Sequence, residues 1–333
     1  MKKLLVIIIL FFSLNAFGQN GVEGDYFILM NGKYMISLNT FENSAIVNHM
    51  TFETEYEVTG KLIFTTDKKS RVALLNSEDN NILLYDFLSS KETKLTIPYD
   101  MKPKTLLLLG NNLFVGGEMG TEILVQYQIN QNQWDKLEVP NEVQVFGKAV
   151  DDLVVNDSFL IAIDNLVFPK YILFYDLKFE GKLELSHFRE LKANGSYESI
   201  HQGIITSEYL GIVSETIGYG IKNEHITIYS DPDLINSFAL SARFEEVRAF
   251  NDFLLIENKL IIAHRKKGLG IFEIKDSYFT ANSTNSRVDE NLIVYKPYEK
   301  GEIIRMTIIP NTSKIILTIR DPKGEISNEI VDI

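Results

Sequence analysis

Cysteine is absent from this chain of 333 residues. Its absence excludes disulfide bonds, thiolate zinc sites and a cysteine nucleophile. It also leaves no thiol near the N-terminus to which a lipid anchor could be attached. A domain of this length can bury enough apolar surface to be stable without covalent cross-links.

Long apolar runs are scarce beyond the first few residues. The later runs are as short as residues 106–109 and 253–256, whereas a helix that crosses a bilayer needs about 20 apolar residues. We therefore expect no stable membrane anchor in the mature protein.

The N-terminus has the pattern of a signal peptide. Residues 2–3 are lysines, residues 4–12 are apolar, and residues 16–18, Ala-Phe-Gly, have the small-x-small pattern of a cleavage site. We predict removal of a signal peptide of residues 1–18, which leaves a single domain of residues 19–333. The protein is then exported, either to the periplasm or out of the cell.

Positive charge is also in short supply. The chain has 33 Lys and Arg against 45 Asp and Glu, for a formal net charge of −12. The longest basic run is residues 264–267, His-Arg-Lys-Lys. Binding to a nucleic-acid backbone needs a basic surface, so we expect no nucleic-acid partner. We expect a monomer that its acidity keeps in solution.

Compact catalytic motifs are missing as well. The chain has no His-Glu-x-x-His, no Gly-x-Ser-x-Gly, no Gly-x-x-x-x-Gly-Lys and no Asp-x-Asp-x-Asp-Gly. These are the local patterns of zinc proteases, serine hydrolases, phosphate-binding loops and calcium loops. The sequence therefore predicts no cofactor and offers no local metal motif. A metal site that combines histidine and carboxylates from distant segments stays open.

Strand patterns dominate what is present. Short runs rich in Val, Ile, Leu, Phe and Tyr alternate with clusters of Asn, Gly, Asp or Lys, which is typical of β-strands separated by turns. A helical pattern is weak and short, at residues 233–242. The mature chain is therefore predicted to be all-β.

One unit of two apolar strands and a polar loop recurs along the chain. The copies start about 38 to 55 residues apart, which is the spacing of four-stranded propeller blades. We predict a β-propeller of seven four-stranded blades, with six or eight as the alternatives. The strand pairs are 34–38 with 45–47, 72–75 with 82–86, 113–116 with 123–127, 159–163 with 171–176, 210–213 with 226–229, 260–263 with 270–274, and 315–319 with 329–331.

The last copy lacks a complete outer edge, whereas residues 26–30 form a spare strand near the mature N-terminus. Pairing of this N-terminal strand with the last blade would close the ring and remove an exposed edge. We expect this closure, which would use the whole mature chain in a single propeller.

Two copies resemble a named repeat. Residues 249–263 together with 268–274, and more loosely residues 151–162 together with 171–177, resemble the LVIVD type of bacterial propeller repeat. The resemblance implies an exported propeller, and such proteins are of largely unassigned role, so it supports fold and location more than activity. Other propeller repeats fit less well. The WD40 repeat is marked by a Trp-Asp pair and the kelch repeat by a Gly-Gly pair, and each pair occurs only once here. The propellers of quinone-dependent dehydrogenases and of sialidases use tryptophan repeatedly, whereas this chain has a single tryptophan.

Functional residues of a propeller usually lie on loops at one mouth of the central channel. In the predicted blades, these loops join the two strands of each repeat or lead to the next blade. For each residue alone, a turn or a solvated charge is the stronger explanation. The candidate ligand-binding residues are Glu118, Asp164, Asn165, Tyr219, His264, Arg265 and Arg320.

The basic run at residues 264–267 is the sharpest of these candidates. A cationic cluster in an acidic protein can bind a carboxylate, a sulfate or an anionic sugar. Loop aromatics such as Tyr219 and Tyr298 can stack on a sugar ring or anchor a partner protein.

Two functions follow from this pattern. The first is non-catalytic binding of a protein, peptide or glycan, for which a propeller offers a rigid surface. The alternative is a propeller enzyme, a hydrolase or lyase acting on an extracellular polymer, with its site assembled from several blades. Such an enzyme would use Asp152, His201, Glu215 and Asp252, with His201 paired to a carboxylate such as Asp152.

Overall fold

The computed structural model describes a chain of β-strands and one short 3-10 helix at Asp276–Tyr278. The described residues are 26–30, 34–38, 43–48, 54–59, 62–67, 69–76, 80–86, 88–118, 120, 122–141, 143, 149–164, 170–178, 181–191, 198–205, 209–218, 221–230, 239–244, 249–279, 286–288, 293–308 and 312–333.

The described strands form seven sheets, numbered along the chain, in which neighbouring strands are almost all antiparallel. Sheet 1 holds β1 (Tyr26–Met30), β2 (Tyr34–Leu38), β3 (Asn43–Asn48) and β4 (Thr54–Thr59). Sheet 2 holds β5 (Leu62–Thr66), β6 (Arg71–Asn76), β7 (Asn81–Asp86) and β8 (Lys91–Thr96). Sheet 3 holds β9 (Lys102–Leu109), β10 (Asn112–Glu118), β11 (Leu124–Gln128) and β12 (Gln133–Lys136).

The remaining sheets follow the same order. Sheet 4 holds β13 (Val150–Val155), β14 (Phe159–Asp164), β15 (Lys170–Asp176) and β16 (Glu184–Leu191). Sheet 5 holds β17 (Glu198–Ile205), β18 (Leu210–Gly218), β19 (Ile221–Tyr229), β20 (Ala239–Phe244) and the parallel β24 (Ser286–Val288). Sheet 6 holds β21 (Phe250–Ile256), β22 (Lys259–His264), β23 (Gly268–Glu273) and β25 (Val294–Lys296). Sheet 7 holds β26 (Glu302–Ile308), β27 (Lys314–Arg320) and β28 (Ile326–Asp332).

Burial is greatest in the middle strands of a sheet and lowest in the outer, fourth strand. All residues of β10 are buried except the first, whereas most residues of β8 are exposed. A strand covered on both faces needs an unbroken apolar run, which β10 supplies at residues 113–115. The polar sequence of β8 suits an outer position.

The apolar core lies between consecutive sheets. One cluster joins sheets 2 and 3, and corresponding clusters join sheets 3 and 4, 4 and 5, 5 and 6, and 6 and 7. The first strands of sheets 2 to 7 lie side by side in chain order. Sheets stacked face to face around adjacent first strands form a β-propeller, as the repeat spacing predicts.

Two sequence predictions are wrong. Residues 26–30 do not pair with the last sheet, because β1 forms a hairpin with β2 in sheet 1, with Tyr26 opposite Leu38. A connection of three residues makes this local pairing the simplest one available. The weak helical pattern at 233–242 is overridden at its end, where Ala239–Phe244 forms a strand paired with β19.

Candidate functional site

Five of the seven predicted ligand-binding residues lie along one edge of the sheets: Glu118, Asp164, His264, Arg265 and Arg320. First and second strands are antiparallel, so each first strand begins where its second strand ends. We call this the upper edge. The pairs at or near it are Lys102–Glu118, Val150–Asp164, Ser199–Glu215, Phe250–His264 and Glu302–Arg320.

A β-bulge recurs near the upper edge in the first strands of sheets 3 to 7. At each bulge the ladder skips one residue, which leaves that residue without a partner in the second strand. Bulges re-aim side chains and are common beside functional sites. The skipped residues are Lys104, Asp151, His201, Asn251 and Ile304.

In four of these sheets, the second residue that follows the bulge along the second strand carries a charge. We call these the rim residues: Glu118, Glu215, Arg265 and Arg320, in sheets 3, 5, 6 and 7. The two glutamates belong to sheets 3 and 5, and the two arginines belong to sheets 6 and 7. The upper edge is therefore acidic on one side and basic on the other at these positions.

Between sheets 3 and 4, the bulge and rim residues form an ion-pair network. The Lys104 Nζ lies 2.6 Å from Glu118 Oε2 and 2.7 Å from Asp151 Oδ1. The Lys102 Nζ lies 3.4 Å from the other Glu118 oxygen. Beside this network the backbone of β10 comes close to the backbone of β9 at Gly117. Glycine permits this approach, since a Cβ at this position would lie 2.5 Å from the Lys102 carbonyl oxygen.

The charges in this network stabilise one another. Burial lowers the pKa of Lys104, but its hydrogen bonds with Asp151 and Glu118 outweigh burial and hold that pKa above the ordinary value. Burial raises the pKa of Glu118, and the two lysines outweigh it, so that pKa is lowered. Sequence reasoning selected Glu118 but missed Lys104, whose place depends on the bulge.

Between sheets 6 and 7, a second network holds Arg265 in place. The Arg265 Nε donates to Asn251 Oδ1 at 2.7 Å. The Asn251 Nδ2 donates to Glu302 Oε1 and to the Ile303 carbonyl oxygen, both at 2.8 Å. Glu302 also lies 3.8 Å from the Arg265 Nε. Arg320 is exposed at the end of β27, directly opposite Glu302 in the ladder.

Asp252 follows the bulge in sheet 6 and links it to sheet 7. Its side chain is buried, with Oδ1 accepting from the Phe253 amide at 2.9 Å and Oδ2 accepting from the Met306 amide at 2.8 Å. The Arg305 Nε lies 4.0 Å from Oδ2. Burial raises the pKa of Asp252 to about 7, against the opposing effect of these hydrogen bonds. Both oxygens are thus engaged in joining two sheets.

His264 supports the turn that carries the basic run. Its ring is buried, and its Nδ1 accepts from the amides of Lys266 at 3.1 Å and Lys267 at 3.2 Å. The ring also meets Tyr295 edge-on at 5.3 Å between centroids. His264 is therefore buried, whereas Arg265, Lys266 and Lys267 are exposed to solvent.

Several predicted residues lie outside this description. Asn165 and Tyr219 are not among the described residues, and for Asp164, His201 and Glu215 only the backbone is described. The expected pairing of His201 with Asp152 stays a prediction, although their strands β17 and β13 are neighbours.

Within the described part of the chain, no group of three or more metal-ligating side chains was found. Over the same residues, no helix has the length and apolar character needed to cross a membrane.

A cavity of about 480 Å³ opens at the opposite, lower edge between sheets 2 and 3. Arg71 lines it and is held by Asp67 at 2.8 Å, by Asn111 Oδ1 at 3.3 Å and by the Gly110 carbonyl oxygen. Asp67 Oδ1 also accepts hydrogen bonds from the backbone amides of Lys69, Ser70 and Arg71. Arg71 thus joins the two sheets, and Asp67 fixes the turn before β6 and the position of the Arg71 side chain.

Comparison with known proteins agrees with the fold. No family model and no curated protein matches the chain. The β-propeller domain of Cps50 (Swd1) from Myceliophteria thermophila aligns with a TM-score of 0.61 at 11% identity, covering 93% of this chain and 97% of that one. BamB from Moraxella catarrhalis aligns at 0.54 and 11% identity, covering 92% and 96%. The N-terminal domain of Nup159 aligns at 0.52 and 9% identity, covering 92% and 90%.

At such low identities the likeness establishes the fold alone, which is a β-propeller. The resemblance to LVIVD-type repeats remains a prediction, because no family model matches.

Proposed function

We propose that this protein is an exported, non-catalytic binding propeller. In this proposal its seven sheets are the blades of one closed ring. The ring engages a protein, peptide or glycan through an anionic group of that partner at the upper edge of sheets 6 and 7. The observation that carries the proposal is the fixed guanidinium of Arg265.

Arg265 is oriented before any ligand arrives. Its Nε is bonded to Asn251, which is itself bonded to Glu302 and to the backbone of the next sheet. The side chain nevertheless remains 45% exposed. A guanidinium held in this way loses little conformational freedom on binding, and its planar fork matches a carboxylate or a sulfate.

Positive charge is concentrated around Arg265. Arg305 and Arg320 lie on the adjoining sheet, and Lys266 and Lys267 follow in the same turn. The acidic groups at this edge are already engaged, Glu302 with Asn251 and Asp252 with backbone amides. A basic patch on a chain of net charge −12 favours an anionic partner over a cationic one.

Binding is favoured over catalysis by the state of Asp252. This residue was a candidate for the enzyme, yet both of its oxygens accept backbone amides and its side chain is buried. A general acid or base needs an oxygen within reach of a substrate. Among the similar structures, Nup159 is also seen bound to Dbp5, so a propeller of this kind can serve as a protein-binding platform.

The test is affinity capture with mature protein, residues 19–333, from lysate and culture supernatant of its source, together with a glycan array. The variant Arg265→Ala/Arg320→Ala is compared with Lys314→Ala, which removes a cation from the other end of β27. We expect a partner that wild type and Lys314→Ala retain and that the double variant loses.

Retention of every partner by the double variant would overturn the anion site. Cleavage of an array glycan or polymer by the wild type, instead of stable capture, would favour the hydrolase or lyase alternative.

A further inference from the structure

We propose that a notch between β25 and β28 binds an extended segment of a partner protein as an added β-strand. The segment would carry an apolar residue followed two positions later by an acidic residue. The notch is separate from the Arg265 site, so either proposal can fail without the other.

The first wall of the notch is the outer edge of β28. Sheet 7 has three strands among the described residues, whereas every other sheet has at least four. No described strand pairs with the far side of β28. Sheet edges are usually protected by proline, by charged side chains such as lysine, or by a bulge. The sequence of β28, Ile-Ser-Asn-Glu-Ile-Val-Asp, has no proline or lysine, and its ladder with β27 is regular. Its two acidic side chains are paired, Glu329 with Lys300 and Asp332 with Lys314.

The hydrogen-bonding phase of β28 follows from its two ends. The Asp321 amide donates to the Glu325 carbonyl oxygen, and the Ile333 amide donates to the Ser313 carbonyl oxygen, each at 2.9 Å. Antiparallel pairs alternate between bonded and non-bonded, so odd-numbered residues of β28 bond to β27. The residues whose amide and carbonyl groups point outward are 326, 328, 330 and 332.

The second wall is the face of β25 that looks toward sheet 7. Leu254, Ile261, Ile271 and Val294 form one row across sheet 6. Residues directly opposite in a ladder share a face. Leu254 and Ile261 pack against sheet 7, so Val294 points the same way. Because sheet 7 is one strand narrower, Val294 lies beyond its cover and is 65% exposed.

The side chains of the notch define the segment that fits. Lys296 lies two residues after Val294, on the same face of β25, and is exposed. A strand added antiparallel to β28 runs in the direction of β25, because the third and fourth strands of a sheet are antiparallel. It would place an apolar side chain on Val294 and then a carboxylate beside Lys296. Main-chain bonds to β28 would supply affinity, and these two contacts would supply specificity.

The first measurement is amide hydrogen exchange, resolved by NMR, on the mature chain with and without a probe peptide. The probe is acetyl-Ser-Thr-Val-Thr-Glu-Thr-Ser-amide, and the control peptide has lysine in place of glutamate. In the free protein, the amides of Glu329 and Val331 should be protected, whereas those of Asn328 and Ile330 should exchange rapidly. The probe should slow exchange at Asn328 and Ile330 only.

Three variants sharpen this test. Ile330→Pro removes an outward amide without breaking a bond to β27, so it should weaken probe binding by at least about tenfold. Ile330→Thr keeps that amide and should bind like wild type, which controls for loss of the side chain. Lys296→Glu should reverse the preference between the probe and the lysine peptide.

Other occupants would give different results and would overturn the proposal. Protection of Asn328 and Ile330 in the free monomer would mean that another segment of this chain fills the notch. A dimer in sedimentation velocity that Ile330→Pro abolishes would mean that a second copy fills it. Absence of probe binding at millimolar concentration would leave the notch without the proposed role.

Discussion

Replacement of Asp252 by asparagine should remove a pH dependence of stability that burial of this carboxyl creates. Burial raises its pKa to about 7 in the folded protein, against an ordinary value of 3.8. The folded state therefore binds the proton more tightly than the unfolded state does. The free energy of unfolding must then fall as pH rises from about 4 to about 7. A pKa difference of about 3 corresponds to roughly 4 kcal/mol over this window.

The variant carries a second effect that does not depend on pH. An asparagine side chain has one acceptor oxygen, so the amide of Phe253 or of Met306 loses its partner. An unsatisfied buried amide costs about 1–3 kcal/mol. Near pH 5 we expect Asp252→Asn to be less stable than wild type by about this amount. Near pH 8 the deficit should vanish or reverse, because only the wild type carries a buried carboxylate there.

The assay is equilibrium urea unfolding of both proteins at several pH values between about 5 and about 8. The quantity of interest is the difference in free energy of unfolding, since other titrating groups cancel in it. Asp157→Asn, at an exposed turn position, is the control and should follow wild type throughout. A difference between wild type and Asp252→Asn that stays constant across this range would refute the argument.

Three further variants test the packing of the blades. Lys104→Met leaves two carboxylates without their shared cation, so it should lower the free energy of unfolding by about 1–3 kcal/mol near pH 7 and by less near pH 4. The control is Lys102→Met, which should change this free energy by under about 1 kcal/mol because the Lys102 side chain is 57% exposed. Gly117→Ala, whose Cβ would meet a backbone oxygen at 2.5 Å, should cost about 1–3 kcal/mol in urea unfolding. Tyr175→Phe removes a hydroxyl that donates to a backbone oxygen at 2.7 Å and should lower the melting temperature, at a cost of about 1–2 kcal/mol. An unchanged value for any of these would contradict the contact it tests.

The strand pattern could be predicted from sequence because burial on both faces demands unbroken apolar runs. Each of the predicted repeat pairs coincides with the second and third strands of one sheet. The place of residues 26–30 was missed because strand chemistry alone does not choose a partner. The Asn-Gly pair that follows Met30 was the available signal for a hairpin with the next strand.

The site was predictable in part for similar reasons. Residues at the ends of second strands, such as Glu118 and Arg265, follow from the repeat register alone. Lys104 could not be found in this way, since a bulge has no local sequence signature and moves a residue out of the ladder. The burial of Asp252 could not be predicted either, because the sequence around it does not reveal that its carboxylate oxygens accept hydrogen bonds from backbone amides.

The recurring bulge removes one residue in each of five sheets from the pairing between first and second strands. A residue skipped by the ladder has no cross-strand partner whose packing it must match. The five skipped positions accordingly hold a lysine, an aspartate, a histidine, an asparagine and an isoleucine, although the strands around them are alike. A change at one of these positions therefore acts mainly on contacts between neighbouring sheets, as at Lys104 and Asn251, and not on the pairing of strands within a sheet.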